Sequence, residues 1–452
     1  MKTKPRIAAA GALENILSQR HFSNRETSRW IKGNAWSPED QRLFLRLVYG
    51  TLEQLLLIDH ILSKIGRRPI TTVDVPIRGI LRISAYQLLF THRIPTYAVI
   101  HEAVQYIKKE KPHAAGFVNA VLRSLQRDIK TLGAMESVVD VYCRESISLR
   151  YSHPQWLVDK LYSDYPQEEA QKIIQAHQNP PSLTLRLNTQ KDSPAQISEM
   201  LAKEGIIIEP TGWLPEAWRV VSLKGLITES VLYRKGYFSI QSITSMLAVH
   251  WLDPKAGDIV IDIAAAPGGK TMHIAQRMDN QGTIIARDVS EKRSRQITEH
   301  GRRLNVNIVS VQVMDGTLSD SIWQQKADKV LLDAPCSGLG MIRKKPEIKF
   351  MNHRTLDHFP ELQRVMLDRS AELVKPGGVL LYATCTYLYQ ENQQVILDFI
   401  HRNREFTCIP LKPVTKPDKS GLLNGQSGMI QLGPHLHLDL DGFFIAKMIR
   451  KR

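Results

Sequence analysis

Two cysteines stand 49 positions apart in segments suited to covalent chemistry: Cys336 in LLDAPCSGLG and Cys385 in LLYATCTYL. Each follows an apolar run of strand length, so each thiol is expected where a buried strand ends and a loop opens. A third segment, DIAAAPGGKT at 262–271, leaves the apolar strand Ile259-Val260-Ile261 through a glycine turn. In open α/β sheets the carboxyl ends of parallel strands share one crevice where ligands bind. Three such ends predict one site holding a glycine loop, the carboxylates Asp262 and Asp333 and two thiols, a set suited to nucleophilic attack on a bound organic group.

The glycine loop has imitators. A phosphate-cradling G-x-x-x-x-G-K-[ST] loop is matched at Gly269-Lys270-Thr271, but Ala264 stands where its first glycine belongs. There is no strict G-x-G-x-x-G either, which argues against a nicotinamide dinucleotide. What remains is strand, turn, helix and then Asp288 at the end of the next strand, placed to accept the two hydroxyls of a ribose. A nucleoside without a triphosphate fits, and S-adenosylmethionine is the common one.

Around these segments, strands are expected at 259–263, 283–287, 308–312, 329–333 and 379–383, with helices at 268–278, 291–304, 360–374 and 390–402. That alternation predicts a doubly wound parallel sheet over residues 236–452, closed by an edge strand at 442–448. His435 to Asp441 alternates strictly and reads as a strand with one wet face, so no metal is expected there. Residues 136–235 read as a connector and small α/β domain, with helices near Trp156–Tyr165 and Glu168–Ala176 and a half-buried strand in which Leu183, Leu185 and Leu187 face inward. Residues 1–135 read as an all-helical domain. In VPIRGILRISAYQLLF the apolar side chains recur at helical spacing, leaving Arg78 and Arg82 off the stripe, and Arg123 and Arg127 lie off a second stripe.

Charge is uneven. The chain of 452 residues carries 60 basic and 45 acidic side chains, but residues 1–130 hold 21 basic against 10 acidic. A local basic excess is what a polyanion-binding module needs. The plainer alternative is a set of solvated surface charges. The same two readings apply to Arg343, Lys344, Lys345 and Lys349, which follow the Cys336 loop and could meet an RNA backbone. Cys143, Cys336, Cys385 and Cys408 form no C-x-x-C pair and no zinc spacing, and no apolar run approaches the ~18 residues of a membrane span. A cytoplasmic protein with free thiols, no metal and no membrane partner is the expectation.

The runs DIAAAPGGKT, IIARDVS, VMDGT, LLDAPCSGLGMIRKKPEIK and YATCTYLYQEN resemble the successive motifs of the RNA (cytosine-carbon-5) methyltransferases of the Nop2/NSUN/Fmu group. LRLNTQKDS and KGYFSIQSITS are similar to segments upstream of that group's catalytic core. LVYGTLEQLLLID, RISAYQLLFTHRIP and GFVNAVLRSL are similar to the NusB-like RNA-binding domain carried by its Fmu/Sun/RsmB type, which modifies 16S ribosomal RNA. Departures are local: Ala264 replaces a frequent Cys, Ser242 an Asp, His300 an Asn, Gln390 the first Glu of Glu-Glu-Asn, and Thr386 the Ser after the second cysteine.

The resemblance implies S-adenosylmethionine held by Asp262, the loop Ala266-Pro267-Gly268-Gly269-Lys270, Asp288, Asp315 and Asp333. It makes Cys385 the nucleophile at cytosine carbon 6 and gives Cys336 a role in releasing the product. Asp333, when protonated, would donate to ring nitrogen 3, and Lys270 would hold the base or that carboxylate. Arg78, Arg82, Arg123, Arg343, Lys344 and Lys345 are the expected RNA contacts, and a monomer acting on 16S ribosomal RNA is the expected form. Three alternatives stay open: a NusB-like RNA-binding or antitermination factor with a relict catalytic domain, a transfer-RNA cytosine methyltransferase, and, weakened by Ala264, an RNA-dependent triphosphatase.

Overall fold

A computed structural model describes residues 3–19, 22–91, 94–132, 146–352, 356–415, 422–423 and 425–452; Cys143 lies outside them. The chain forms two compact units: residues 1–179 with 342–352, and residues 180–341 with 353–452. The helices Gln155–Asp164 and Gln167–Ala176 fall in the first of these units.

The first unit is helical. Ser37 caps Pro38–Glu53 by accepting from the Asp40 amide, with proline at the first helical position. Leu13, Phe44, Leu47, Ile58, Ile61, Leu81, Val118 and Leu122 meet in one core. Val75–Phe90 runs through its centre, which overturns one expectation about charge. Arg82 is not left outside: it is 5% exposed and pairs with Glu14 at 2.8 Å and Asp59 at 2.7 Å. Arg78 is turned onto the same Glu14 at 2.5 Å. Off-stripe positions on a helix wrapped by neighbours are interior, and their charges are satisfied by partners the sequence places far away.

Residues 342–352 add a second correction. Lys349 is buried and donates to the carbonyls of Glu53 at 2.8 Å and Ser152 at 2.7 Å, and Arg343 is buried as well, so neither is a surface phosphate contact. Glu347 accepts from the amide and hydroxyl of Ser23. Lys344 and Lys345 are half-buried, and Lys345 Nζ lies 5.7 Å from the Phe22 ring centroid. Arg123 and Arg127 are exposed, as their spacing predicts.

In the second unit β1 (Thr184–Leu187), β2 (Ile206–Pro210), β3 (Ala217–Leu223) and β4 (Phe238–Ile240) form an antiparallel sheet in the order β2-β3-β1-β4. All four residues of β1 are buried, Arg186 included, so this strand has no wet face.

The larger sheet contains β5 (Ile259–Ile263), β6 (Thr283–Asp288), β7 (Val309–Val313), β8 (Ala327–Asp333) and β9 (Val374–Thr384), parallel in the order β9-β8-β5-β6-β7. Apolar runs such as VLL and VLLYA are what strands covered by helices on both faces require. The short pair β11 (Val414–Thr415) and β12 (Leu422–Leu423) stands apart. Beyond β9 the sheet turns antiparallel through β14 (Phe443–Arg450), flanked by β10 (Phe406–Cys408) and β13 (Met429–Leu432). The C-terminal strand is therefore interior, and residues 434–441 are turns, not a wet-faced strand. Short apolar runs do not reveal which strand a sheet leaves at its edge.

Candidate active site

The strand order reverses between β5 and β8, and such a switch point opens a crevice at the carboxyl ends. β5 carries Asp262 next to its last residue, Ile263, and turns through Ala264, whose φ is 60°, and Gly268, whose φ is 98°, into the helix Gly269–Arg277. A Cβ on Gly268 would lie 3.2 Å from the Ile297 Cα, so close packing and positive φ both demand glycine there. β6 ends at Asp288. β8 and β9 lead directly into the two cysteine loops.

All the sequence-proposed site residues of this unit gather at that end of the sheet. Cys336 Sγ and Cys385 Sγ are 3.3 Å apart, and the Cys385 amide lies 3.3 Å from Cys336 Sγ. The Cys336 thiol is pushed well above the ordinary cysteine range by its hydrogen bond with Cys385 and by burial. Lys270 Nζ reaches Asp333 Oδ2 at 2.6 Å and lies 5.3 Å from the Phe443 ring centroid. Burial pulls this amine down, but the Asp333 carboxylate outweighs it and raises the lysine above its ordinary range. Asp262 is 1% exposed; Thr271 donates to its Oδ2 at 2.6 Å, while Oδ1 has no partner among the described residues. Burial pushes its carboxyl up to about 7.

Two cavities share Ala264. One of about 220 Å³ is lined by Gln241, Ser242, Ser245, Asp262, Lys270 and Asp333. The other, about 250 Å³, is lined by Asp288, Val289, Asp315, Pro335, Leu362 and Met366. Asp288 accepts from the amides of Ala266 and Ser290 at 3.3 and 3.0 Å, and Asp315 accepts from the amide and hydroxyl of Thr317 at 2.9 and 2.8 Å. An apolar-walled cavity with a carboxylate at its rim suits an adenosine. The unpartnered Asp262 Oδ1 in the adjoining cavity suits a cationic amino group such as that of methionine. The residues therefore fit S-adenosylmethionine.

Several site residues escape sequence reasoning. Arg293 pairs with Asp288 at 3.3 Å and donates to the Ala266 carbonyl at 2.9 Å. Arg186, fully buried, donates to the Gly269 carbonyl at 2.8 Å and to Gln241. A spacing of one turn after Asp288 could have flagged Arg293. Nothing in LRLN separates a buried arginine from an exposed one.

A doubly wound sheet whose switch point opens a cavity suited to a nucleoside, with thiols and an ion pair beside it, has the arrangement of an S-adenosylmethionine-dependent methyltransferase. Comparison with known proteins narrows the class. Residues 249–449 match the model described as 16S rRNA methyltransferase RsmB/F, residues 3–127 the NusB family, and residues 153–223 an RsmF/B-like ferredoxin-like domain. The ribosomal RNA small subunit methyltransferase B of Bacillus subtilis, so named with the qualifier "probable", is 36% identical and covers 100% of this chain and 99% of its own length. The crystal structure of PH0851 superposes with a TM-score of 0.79 at 26% identity, covering 100% of both chains. The crystal structure of NSun6 from Pyrococcus horikoshii with SFG, an S-adenosylmethionine analogue, gives a TM-score of 0.57 at 26% identity over 66% of this chain and 98% of that one. The chain belongs to the RsmB/F family of 16S rRNA methyltransferases and is an S-adenosylmethionine-dependent RNA methyltransferase. Among the described residues no helix is long and apolar enough to cross a membrane, and no cluster of three His, Cys, Asp or Glu could hold a metal ion.

Proposed function

We propose that this enzyme methylates carbon 5 of a cytosine in 16S ribosomal RNA through a covalent cysteine–cytosine adduct. The observation that carries the reading is the pair of sulfurs 3.3 Å apart at the ends of adjacent strands, in the same crevice as the Lys270–Asp333 pair. Carbon 5 of cytosine is a poor nucleophile. A Cys385 thiolate adding to carbon 6 converts the ring to an enamine whose carbon 5 can attack an electrophilic methyl group. S-adenosylmethionine, when bound, supplies that methyl. Asp333, when protonated, offers an O–H to ring nitrogen 3 as charge develops on addition, and Lys270 holds that carboxyl group or the base in place. After transfer the carbon 5 proton leaves to a base and the carbon 6–sulfur bond breaks, regenerating Cys385. Cys336, beside that bond, assists the release. The target base must leave any stack to reach the sulfur.

Ribosomal RNA as substrate rests on the family and on the named relative. Enzyme would be incubated with labelled cofactor and deproteinised 16S RNA. Label is expected in 5-methylcytosine; Cys385→Ala should abolish turnover and adduct, and Cys336→Ala should methylate once and accumulate an adduct stable on denaturing gels. A trapped adduct in the Cys385 variant alone would move the nucleophile to Cys336. Absence of product from wild-type protein that binds cofactor would favour a relict RNA-binding factor.

A further inference from the structure

Glu391 is fully buried, yet it belongs to neither cavity and takes no part in the chemistry above. Its surroundings are specific. Oε2 accepts from the Ser337 amide at 2.9 Å and from Gln363 Nε2 at 3.0 Å; the same Gln363 nitrogen donates to the Pro335 carbonyl at 2.9 Å. Oε1 faces the Thr386 hydroxyl at 3.5 Å, and that hydroxyl lies 2.6 Å from the Ser337 hydroxyl. Pro335 and Ser337 flank Cys336, and Thr386 follows Cys385. The next residue, Asn392, accepts from the Thr384 hydroxyl at 2.5 Å and donates to the Thr386 carbonyl at 3.1 Å. Tyr382 OH anchors the turn itself by donating to the Glu391 carbonyl at 2.7 Å. The residues on both sides of both cysteines are thus fastened to the 3-10 turn Tyr389–Glu391, to Asn392 directly after it, and to one helix residue, Gln363.

We propose that Glu391 is a positioning residue for methyl transfer: its carboxylate clamps the two cysteine loops at their reactive spacing. The inference rests on the two-cysteine reading given under Proposed function. A carboxylate is the suitable group, because the Ser337 amide and the Gln363 side-chain nitrogen both donate to Oε2 and ionised Glu offers only acceptors. Its charge also bears on Cys336, whose thiol is held up first by the hydrogen bond with Cys385 and by burial, with the Glu391 charge adding to both. A negative charge near Cys336 opposes its ionisation, and removing that charge should make it ionise more readily.

Three readouts on full-length enzyme test this: kcat and KM for cofactor and RNA, the pH profile of iodoacetamide alkylation of each cysteine by mass spectrometry, and cofactor affinity by calorimetry. Glu391→Gln keeps one acceptor and loses the charge; Glu391→Ala loses both. Misplacing a reacting group by ~1 Å costs about 100-fold in rate, so Glu391→Ala should lower kcat by about 100-fold with KM and cofactor affinity within about twofold. Glu391→Gln should retain more of the rate, and its Cys336 alkylation should shift to lower pH, because one of the negative charges opposing that thiolate is gone. Unchanged kcat in Glu391→Ala, or an unshifted Cys336 profile in a folded Glu391→Gln, overturns the proposal. Should Glu391→Ala not fold, the Gln variant decides alone. A failure of the two-cysteine reading is distinct, because it shows in wild-type enzyme as product formed with no trappable adduct in Cys336→Ala.

Discussion

At the scale of single residues, the acidic groups at strand ends were legible and the basic groups were not. Asp262, Asp288 and Asp333 each end an apolar run, and a carboxylate leaving a buried parallel strand has few places to be except the crevice. Arg82 and Arg186 carry no such signal: an arginine off the apolar stripe of a helix, or alternating with leucines in a strand, looks solvated until its partners come from elsewhere in the chain. Asp262 yields a prediction with a sign. Its folded carboxyl, pushed up to about 7 by burial, lies above the unfolded value of about 4. The folded state therefore binds the proton more tightly, and this contribution to stability is complete below pH ~4 and lost as pH rises through about 7, by on the order of a few kcal/mol. His273, pushed down to about 4 by burial, acts oppositely, losing stability as pH falls below ~6.5, so the comparison must be with a variant. Cofactor-free Asp262→Asn should lose less stability than wild type between pH 5 and pH 8 in thermal melts. Equal losses in the two proteins would show that Oδ1 is not an uncompensated buried carboxylate.

At the scale of elements, the parallel strands and their helices were readable because a strand buried on both faces must be continuously apolar over four to seven residues, with a loop signal at its end. The small antiparallel additions were not. Residues 434–441 alternate like a strand but turn, and the C-terminal strand lies inside the sheet because β10 and β13 cover it, a matter of long-range pairing. The loop at 338–340 shows how tightly these late elements bind the site. The Gly340 amide donates to the Cys385 carbonyl at 2.9 Å, the Gly442 amide donates back to the Gly340 carbonyl at 3.0 Å, and a Cβ on Gly340 would fall 1.9 Å from the Gly442 carbonyl oxygen. Backbone cannot yield as a side-chain tip can. Gly340→Ala should therefore push the Cys336 loop off the Cys385 loop, costing about 1–3 kcal/mol of stability and about tenfold or more in kcat. Gly116→Ala, whose Cβ meets nothing within 4 Å, is the control and should melt at or slightly above the wild-type temperature. Turnover of Gly340→Ala equal to wild type would mean that the loop spacing is not set by this contact.

At the scale of the whole molecule, the concentration of positive charge in residues 1–130 was visible in the sequence, but which charges remain available to a polyanion was not. Deleting that segment is a poor test, since the helical unit also holds residues 146–179 and 342–352, and Lys349 would lose its Glu53 partner. Point neutralisation is cleaner. Lys108, Lys109, Arg123 and Arg127 are exposed, whereas Arg82 is sealed among Glu14 and Asp59. If the four exposed cations contact phosphates, changing all four to Gln should make the slope of log affinity against log salt shallower by about 3, at ~0.7 per phosphate for single-stranded RNA. Arg82→Gln should do something different in kind: about 3–5 kcal/mol of stability lost, because it leaves buried carboxylates unpaired, with the salt slope of the folded fraction unchanged. Filter binding of 16S RNA across 50–300 mM salt, read beside thermal melts, separates the two. An unchanged slope in the fourfold variant would assign the RNA contacts to other charges of the chain and leave this surface as solvated charge.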